Sequence, residues 1–387
     1  MSKKKILILT HRLGLNYGGM AQAYALQVVL RDLGFDPVSS NFLKKDIVKN
    51  AYQQSRYVLR RALYKVGMNV SDLPTCYPDY TTQNTTRFIE QHIATEKSSI
   101  LNRKYVEENY YALISGSDQV WRSSYVPVEK YLFDFAEESK TLIRISYAAS
   151  FGKDNLDEYS KRLVSRTKKL AQRFSAISVR EDSGIALVDK YWNRKAEQHV
   201  DPTLLLNTSD YLEIIENEKE FLIENDGQIF LYFLDPKSLN YEIAEKVSRR
   251  LGLKTFEIMP PKPKSRKELL GNLESFQLPS VGQWLKCFAD SKFVITDSFH
   301  GTVFSILFNK PFIAIGNRQR GLSRFVSLMK LFDLETRLVT KLSDVTDELL
   351  LAEINWDEVE LEREKQVSRA RKYLLNYLSQ KRQLEFG

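Results

Sequence analysis

Short apolar runs rich in β-branched residues recur along the chain, and stretches of helical period separate several of them. They occupy Lys5–Thr10, Tyr111–Ser115, Ile143–Ser150, Ala176–Arg180, Ile229–Leu234, Thr255–Met259, Phe293–Thr296 and Pro311–Ile315. Strands alternating with helices predict an α/β fold of parallel sheets covered by helices on both faces. The first run leads through a Gly-bearing turn into a helix predicted over Met20–Leu33 and stopped by Gly34, the opening of a Rossmann-like βαβ unit. A second series starts after Asp201-Pro202-Thr203, where Pro202 blocks helix continuation and the polar segment Asn207–Asp226 follows. The pattern predicts a first domain over 1–205 and a second over 206–355. The charged, helix-periodic stretch Trp356–Gln383 has no strand after it, so residues 356–387 are expected to cross back onto the first domain.

The 387 residues, 43% of them hydrophobic, give room for about two to three domains with buried cores. Fifty-seven Lys plus Arg against forty-nine Asp plus Glu leave a net charge of +8, which points to anionic partners. Much of the excess sits in 44–65, where Lys44, Lys45, Lys49, Arg56, Arg60, Arg61 and Lys65 oppose Asp46 alone. Val48, Ala51, Tyr52, Val58, Leu59, Ala62 and Leu63 follow an amphipathic helical spacing there. Such a helix suits the anionic inner face of a membrane or a phosphorylated ligand; a solvated face on a helix packed against its own domain is the plainer alternative. Cys76 and Cys287 lie far apart and outside any metal-ligand spacing, so neither a disulfide framework nor a metal site is expected, and a cytoplasmic setting fits. Lys3–Lys5 precede only Ile6–Leu9 before polar Thr10, too short for a signal core, and no run approaches the ~20 apolar residues of a transmembrane helix.

Candidate chemistry gathers at the ends of the predicted strands. Asn16-Tyr17-Gly18-Gly19 stands between the first strand and first helix, where backbone amides approach an anion or sugar hydroxyls, without forming a dinucleotide fingerprint or a P-loop. In Gly116-Ser117-Asp118-Gln119-Val120-Trp121, Asp118 is placed to accept a proton from a sugar hydroxyl and Trp121 to stack on a sugar ring; a helix cap and a core indole are the structural alternatives. Ser146-Tyr147-Ala148-Ala149-Ser150-Phe151-Gly152 repeats this small-residue arrangement after the next strand. Arg180 ends another strand, its fork suited to a carboxylate or phosphate, or else to a neighbouring acid. The sharpest group is Thr296-Asp297-Ser298-Phe299-His300-Gly301, with Ser298 as a candidate N-cap that leaves His300 and the Gly301 amide in the first helical turn. A histidine there can exchange protons near neutral pH. Arg318, Arg320 and Arg324 follow in a loop suited to an anionic substrate.

Taken in order, Asn16-Tyr17-Gly18-Gly19 with Tyr24-Ala25-Leu26-Gln27, Gly116–Trp121, Ser146–Gly152, Ser178-Val179-Arg180-Glu181, Asp201-Pro202-Thr203 and Asp297–Gly301 make the chain resemble the polysaccharide pyruvyl transferase family over nearly its whole length. The resemblance implies a GT-B-like architecture, two facing Rossmann-like domains with a central cleft, and transfer of a pyruvyl group from phosphoenolpyruvate to a sugar as a ketal. It implies no resident cofactor. His300 would be the general acid or a phosphate ligand, Arg180 and Arg320 would hold the donor's anionic groups, and Asp118 would take the attacking hydroxyl's proton. Asn16, Tyr17, Gly18, Gly19, Ser117, Gln119, Trp121, Ser150, Asp297, Ser298, Gly301 and Arg324 complete the expected substrate-binding set. The acceptor is expected to be a polysaccharide precursor, of which a lipid-linked form would be met at the membrane through 44–65, with no nucleic-acid partner. One departure stands out: some family members carry Arg-Leu where this chain has Ser298-Phe299. The alternatives are a nucleotide-sugar glycosyltransferase of GT-B fold and a non-catalytic basic protein binding a membrane or nucleic acid.

Overall fold

The computed structural model describes residues 4–41, 79–261, 268, 271–316 and 321–379; the basic segment 44–65, Cys76, Arg318 and Arg320 lie outside them. In the first half, β1 (Lys4–Leu9), β2 (Phe35–Ser40), β3 (Ala112–Ser115) and β4 (Ile143–Ser146) form a parallel sheet in the order β2-β1-β3-β4. β5 (Ser178–Val179) pairs with β6 (Glu197–Gln198) and bridges through Val179 to Ala149, just past β4. In the second half, β7 (Ile229–Tyr232), β8 (Thr255–Phe256), β9 (Phe293–Thr296), β10 (Phe312–Ile315) and β11 (Leu338–Val339) form another parallel sheet, ordered β11-β10-β9-β7-β8. The architecture is α/β, built on two principal parallel sheets.

Each sheet reverses its strand order beside its first strand, between β1 and β3 and between β7 and β9. Those reversals open a crevice at the carboxyl ends of the strands, the place where open α/β sheets bind ligands. The principal helices are α1 (Tyr17–Asp32), α2 (Gln83–His92), α3 (Thr208–Asn217), α4 (Val281–Asp290), α5 (Phe299–Leu307), α6 (Leu322–Leu331) and α7 (Trp356–Leu378). β9 reads Phe-Val-Ile-Thr and is buried throughout, as a strand covered on both faces must be. One apolar cluster runs from Ile6 and Ile8 through Met20 and Leu26 of α1 to Trp284 of α4 and Phe304 of α5, so the two halves share a core.

Two elements depart from the sequence pattern. Pro37 falls inside β2, which tolerates it because β2 is the edge strand of its sheet. The polar segment after residue 206 contains α3, whose start is fixed by the Asn207 N–H donating to the Asp210 carboxylate at 2.7 Å and whose Tyr211 and Ile214 are buried. The last helix crosses back as expected. Tyr373 of α7 donates to the Ser146 carbonyl at 2.9 Å, Arg363 donates to the carbonyls of Leu204 and Leu206, and Arg371 meets Asp32 at 3.2 Å. Among the described residues no helix is long and apolar enough to cross a membrane.

Candidate active site

β9 hands the chain to α5 through a tight corner. Ser298 caps α5 by accepting from the Gly301 N–H at 3.2 Å, which leaves His300 in the first turn. Gly301 allows that turn to lie flat on the strand, since a Cβ there would fall 2.3 Å from Thr296 Oγ1. The His300 ring is thereby delivered to the first half, where it rests on the backbone of Gly18 in the first turn of α1. A Cβ on Gly18 would sit 2.1 Å from His300 Cγ and Nδ1. The other ring nitrogen, Nε2, lies 3.3 Å from the buried Asp201 carboxylate.

Asp201 is the hub of this corner. Its Oδ1 accepts from the Thr203 N–H at 3.1 Å and the Thr203 hydroxyl at 2.8 Å, while Oδ2 accepts from Ser117 Oγ at 3.0 Å and Arg180 Nη1 at 2.8 Å. Burial alone would raise the carboxyl's pKa, but His300 and Arg180 outweigh it and hold the group well below the usual carboxylate range. Arg180 also faces Asp118 at 3.5 Å and lies 4.2 Å from the centroid of the Phe299 ring. Its Nε and Nη2 have no hydrogen-bond partner among the described residues.

Asp118 follows β3 in a left-handed conformation, φ 72°, and accepts from the Asn16 amide at 3.5 Å. Against the lift from burial, Arg180, His11, His300 and Arg324 keep its pKa below the ordinary value. In this structure Asp118 stands as a counter-charge to Arg180. Arg180 is a buried cation that lies beside both Asp118 and Asp201.

Beside this cluster, Glu181 Oε1 accepts from Ser150 Oγ and from the Phe151 N–H, each at 2.9 Å. Burial raises the Glu181 pKa although Arg180 and Ser150 pull it down. Arg324 of α6 also approaches Phe299, 5.7 Å from the ring centroid. The two halves touch closely here, for a Cβ on Gly321, which has φ +98°, would fall 1.9 Å from the Gly152 carbonyl oxygen.

His300, Arg180, Asp118, Asn16, Gly18 and Ser117 are thus brought together, with Ser150 and Arg324 at the margin. Other expected residues serve the fold. Trp121 is fully buried against Trp192 and Phe151, so its indole is core and cannot stack on a sugar. Tyr17 stacks on Trp284 and donates to the Pro279 carbonyl at 2.6 Å, joining the halves. Asp297 accepts from the N–H groups of Leu234 and Asp235 at 2.6 and 2.9 Å, which ties down the loop after β7 and gives it a scaffold role. Gln119 accepts from Arg122 at 3.0 Å, and Gly19 packs against the Asn16 side chain. Arg320 lies outside the described residues. Sequence reading missed Asp201 and Glu181 as site residues, and it missed His11, half-buried just past the end of β1. The only signal for Asp201 was its Asp-Pro-Thr setting, which reads equally well as a boundary. Among the described residues no group of three or more His, Cys, Asp or Glu is placed to hold a metal ion.

A family model described as polysaccharide pyruvyl transferase matches residues 16–319. Comparison with curated proteins gives no match. Among solved structures, UDP-GlcNAc 2-epimerase from Neisseria meningitidis bound to UDP-GlcNAc is similar at 11% identity, covering 97% of this chain and 99% of that chain with a TM-score of 0.46. The S. aureus MnaA-UDP co-structure is similar at 13% identity, covering 98% of each chain with a TM-score of 0.47. The N-terminal domain of Candida albicans trehalose-6-phosphate phosphatase is similar at 11% identity, covering 98% of this chain and 97% of that chain with a TM-score of 0.49.

Proposed function

This chain belongs to the polysaccharide pyruvyl transferase family, and on that premise we propose that it moves a pyruvyl group from phosphoenolpyruvate onto two hydroxyls of a sugar. The reaction needs a proton delivered to the donor's methylene carbon, C3. One sugar hydroxyl then bonds to C2, a second displaces phosphate, and a cyclic ketal and inorganic phosphate leave. Of the two hydroxyl protons released, one balances the proton given to C3 and the other departs with phosphate.

The observation that carries this reading is the seating of His300. The second half supplies the imidazole, and the first half supplies the backbone it rests on and the Asp201 carboxylate 3.3 Å from Nε2. A buried carboxylate beside an imidazole fixes the ring's orientation, which suits a group that gives a proton and takes it back. Arg180, with Nε and Nη2 not hydrogen-bonded among the described residues, and Arg324 across Phe299 supply positive charge for the donor's carboxylate and phosphate. Phe299 sets an aromatic face within reach of both arginines, while Ser298 stands where some members carry a cation. The expected cytoplasmic setting, lipid-linked acceptor and membrane docking through 44–65 belong to the same proposal.

The test is turnover in D₂O with phosphoenolpyruvate and a panel of saccharides, followed by NMR and phosphate release. The proposal expects phosphate release that depends on the saccharide and a ketal methyl group carrying one solvent deuteron. Transfer of a glycosyl group from a nucleotide sugar, with no use of phosphoenolpyruvate, would replace it with the glycosyltransferase reading.

A further inference from the structure

A second cavity, of about 530 Å³, lies between α2 and the second half, apart from the His300 corner. That is within the roughly 300–1,000 Å³ of small-molecule sites. Its lining includes Asn84 and Arg87 of α2, Glu257 just past the end of β8, and Glu218, Glu274 and Gln277. Three carboxylates against Arg87 disfavour a phosphorylated or carboxylated ligand, the opposite of the arginine-bearing corner around His300. No metal-holding group of carboxylates is formed among the described residues.

The lining mixes donors, from Arg87, Gln277 and Ser280, with acceptors. The amides of Asn84 and Asn225 commit N–H groups to the Leu278 carbonyl at 2.9 Å and to Cys287 Sγ at 3.8 Å, and Gln283 spends its amide on the backbone of Ile223. Glu218 Oε2 accepts from the Gly282 N–H at 2.8 Å, and the lining keeps further carboxylate oxygens with the Gln277 amide, which hydroxyl or ammonium groups of a ligand would meet. Burial raises the Glu257 pKa, against a hydrogen bond with Tyr241 that lowers it. The cavity is also joined to the reacting corner. Its wall residue Pro279 takes the Tyr17 hydroxyl at 2.6 Å, and Tyr17 immediately precedes the glycine on which His300 rests.

We infer that this cavity is a subsite for a neutral or amino sugar unit of the acceptor, one that discriminates against uronic acids and phosphosugars. The inference rests on the proposed pyruvyl transfer for its link to turnover, but not for the binding itself.

The test uses methyl glucoside, methyl glucosaminide and methyl glucuronide as probes, with dissociation constants measured by NMR titration on the full chain without phosphoenolpyruvate. Gln277→Trp fills the cavity, and Glu274→Arg changes an exposed residue, so it keeps the test usable if the first variant fails to fold. The glucoside and glucosaminide should bind wild type, the glucuronide should bind about tenfold more weakly or worse, and Gln277→Trp should weaken the first two about tenfold. Glu274→Arg should narrow the gap to the glucuronide. Phosphoenolpyruvate affinity, measured separately, should not change in either variant. No glycoside binding to wild type, equal binding of the glucuronide, or binding indifferent to both substitutions overturns the inference. Loss of phosphoenolpyruvate use with cavity-dependent glycoside binding intact would instead overturn the donor reading alone.

Discussion

The ring of His300 occupies the space in which a side chain on Gly18 would stand, with Cγ and Nδ1 2.1 Å from the position of the missing Cβ. Gly18 belongs to α1 of the first half and His300 to α5 of the second, so a glycine in one half sets the position of the imidazole carried by the other. Gly18→Ala should push the ring out of its seat and lower turnover about 10²-fold, the scale on which a displacement of about 1 Å acts. Stopped phosphate-release assays beside a thermal melt would check it. The melt should move much less than the rate.

Asp201 faces Arg180 and His300 at once, so removing its charge should harm both folding and chemistry. Asp201→Asn keeps the shape but leaves Arg180 uncompensated on that side, an event that costs on the order of 3–5 kcal/mol for a buried pair. Urea unfolding should show a lower midpoint with an unchanged slope, and turnover should fall with it. A variant as stable as wild type would place the Arg180 counter-charge on Asp118 alone.

His199 supplies a pH dependence of stability that is separate from catalysis. It is buried between Tyr147 and Tyr373, with Nδ1 3.0 Å from Ser178 Oγ. Burial, with Arg369 adding to it, pushes its pKa down to about 4. The unfolded chain therefore binds a proton that the folded chain refuses between roughly pH 6.5 and 4, and stability falls as pH drops through that window. His199→Gln should flatten the decline, which a series of unfolding midpoints from pH 7 to pH 4.5 would reveal.

Asp297 separates scaffold from site within one motif. Its carboxylate accepts the Leu234 and Asp235 N–H groups, so Asp297→Ala strands two donors at about 1–3 kcal/mol for each that stays buried. The expected signature is a lower unfolding midpoint with donor KM little changed at a temperature where the variant is folded. A large rise in donor KM without loss of stability would return Asp297 to the binding set.

Much of the frame was legible because local rules decide it. Phe293–Thr296 is a strand bounded as its apolar run predicts, and Ser298 caps the next helix as its residue type predicts. β2 was hidden by Pro37, acceptable only because β2 is an edge strand, a fact of tertiary position. α3 was hidden by its polar surface, since only Tyr211 and Ile214 of that helix are buried. Within the site, residue types at strand ends pointed to His300, Arg180 and Asp118. The pairing of Arg180 with Asp201 and Asp118, and the burial of Trp121 against Trp192, depend on contacts between segments far apart in the chain and leave no periodic trace.

The central claim is that His300, oriented by Asp201 and seated on Gly18, delivers the proton that opens pyruvyl transfer. Its most direct test is saccharide-dependent phosphate release from phosphoenolpyruvate by wild type and His300→Ala, each verified as folded by its unfolding midpoint. The account predicts an unchanged midpoint and a loss of about 10²–10⁴-fold in turnover for the variant, the range expected on removing a general acid or base. Turnover within a few-fold of wild type, in a variant of equal stability, would contradict it.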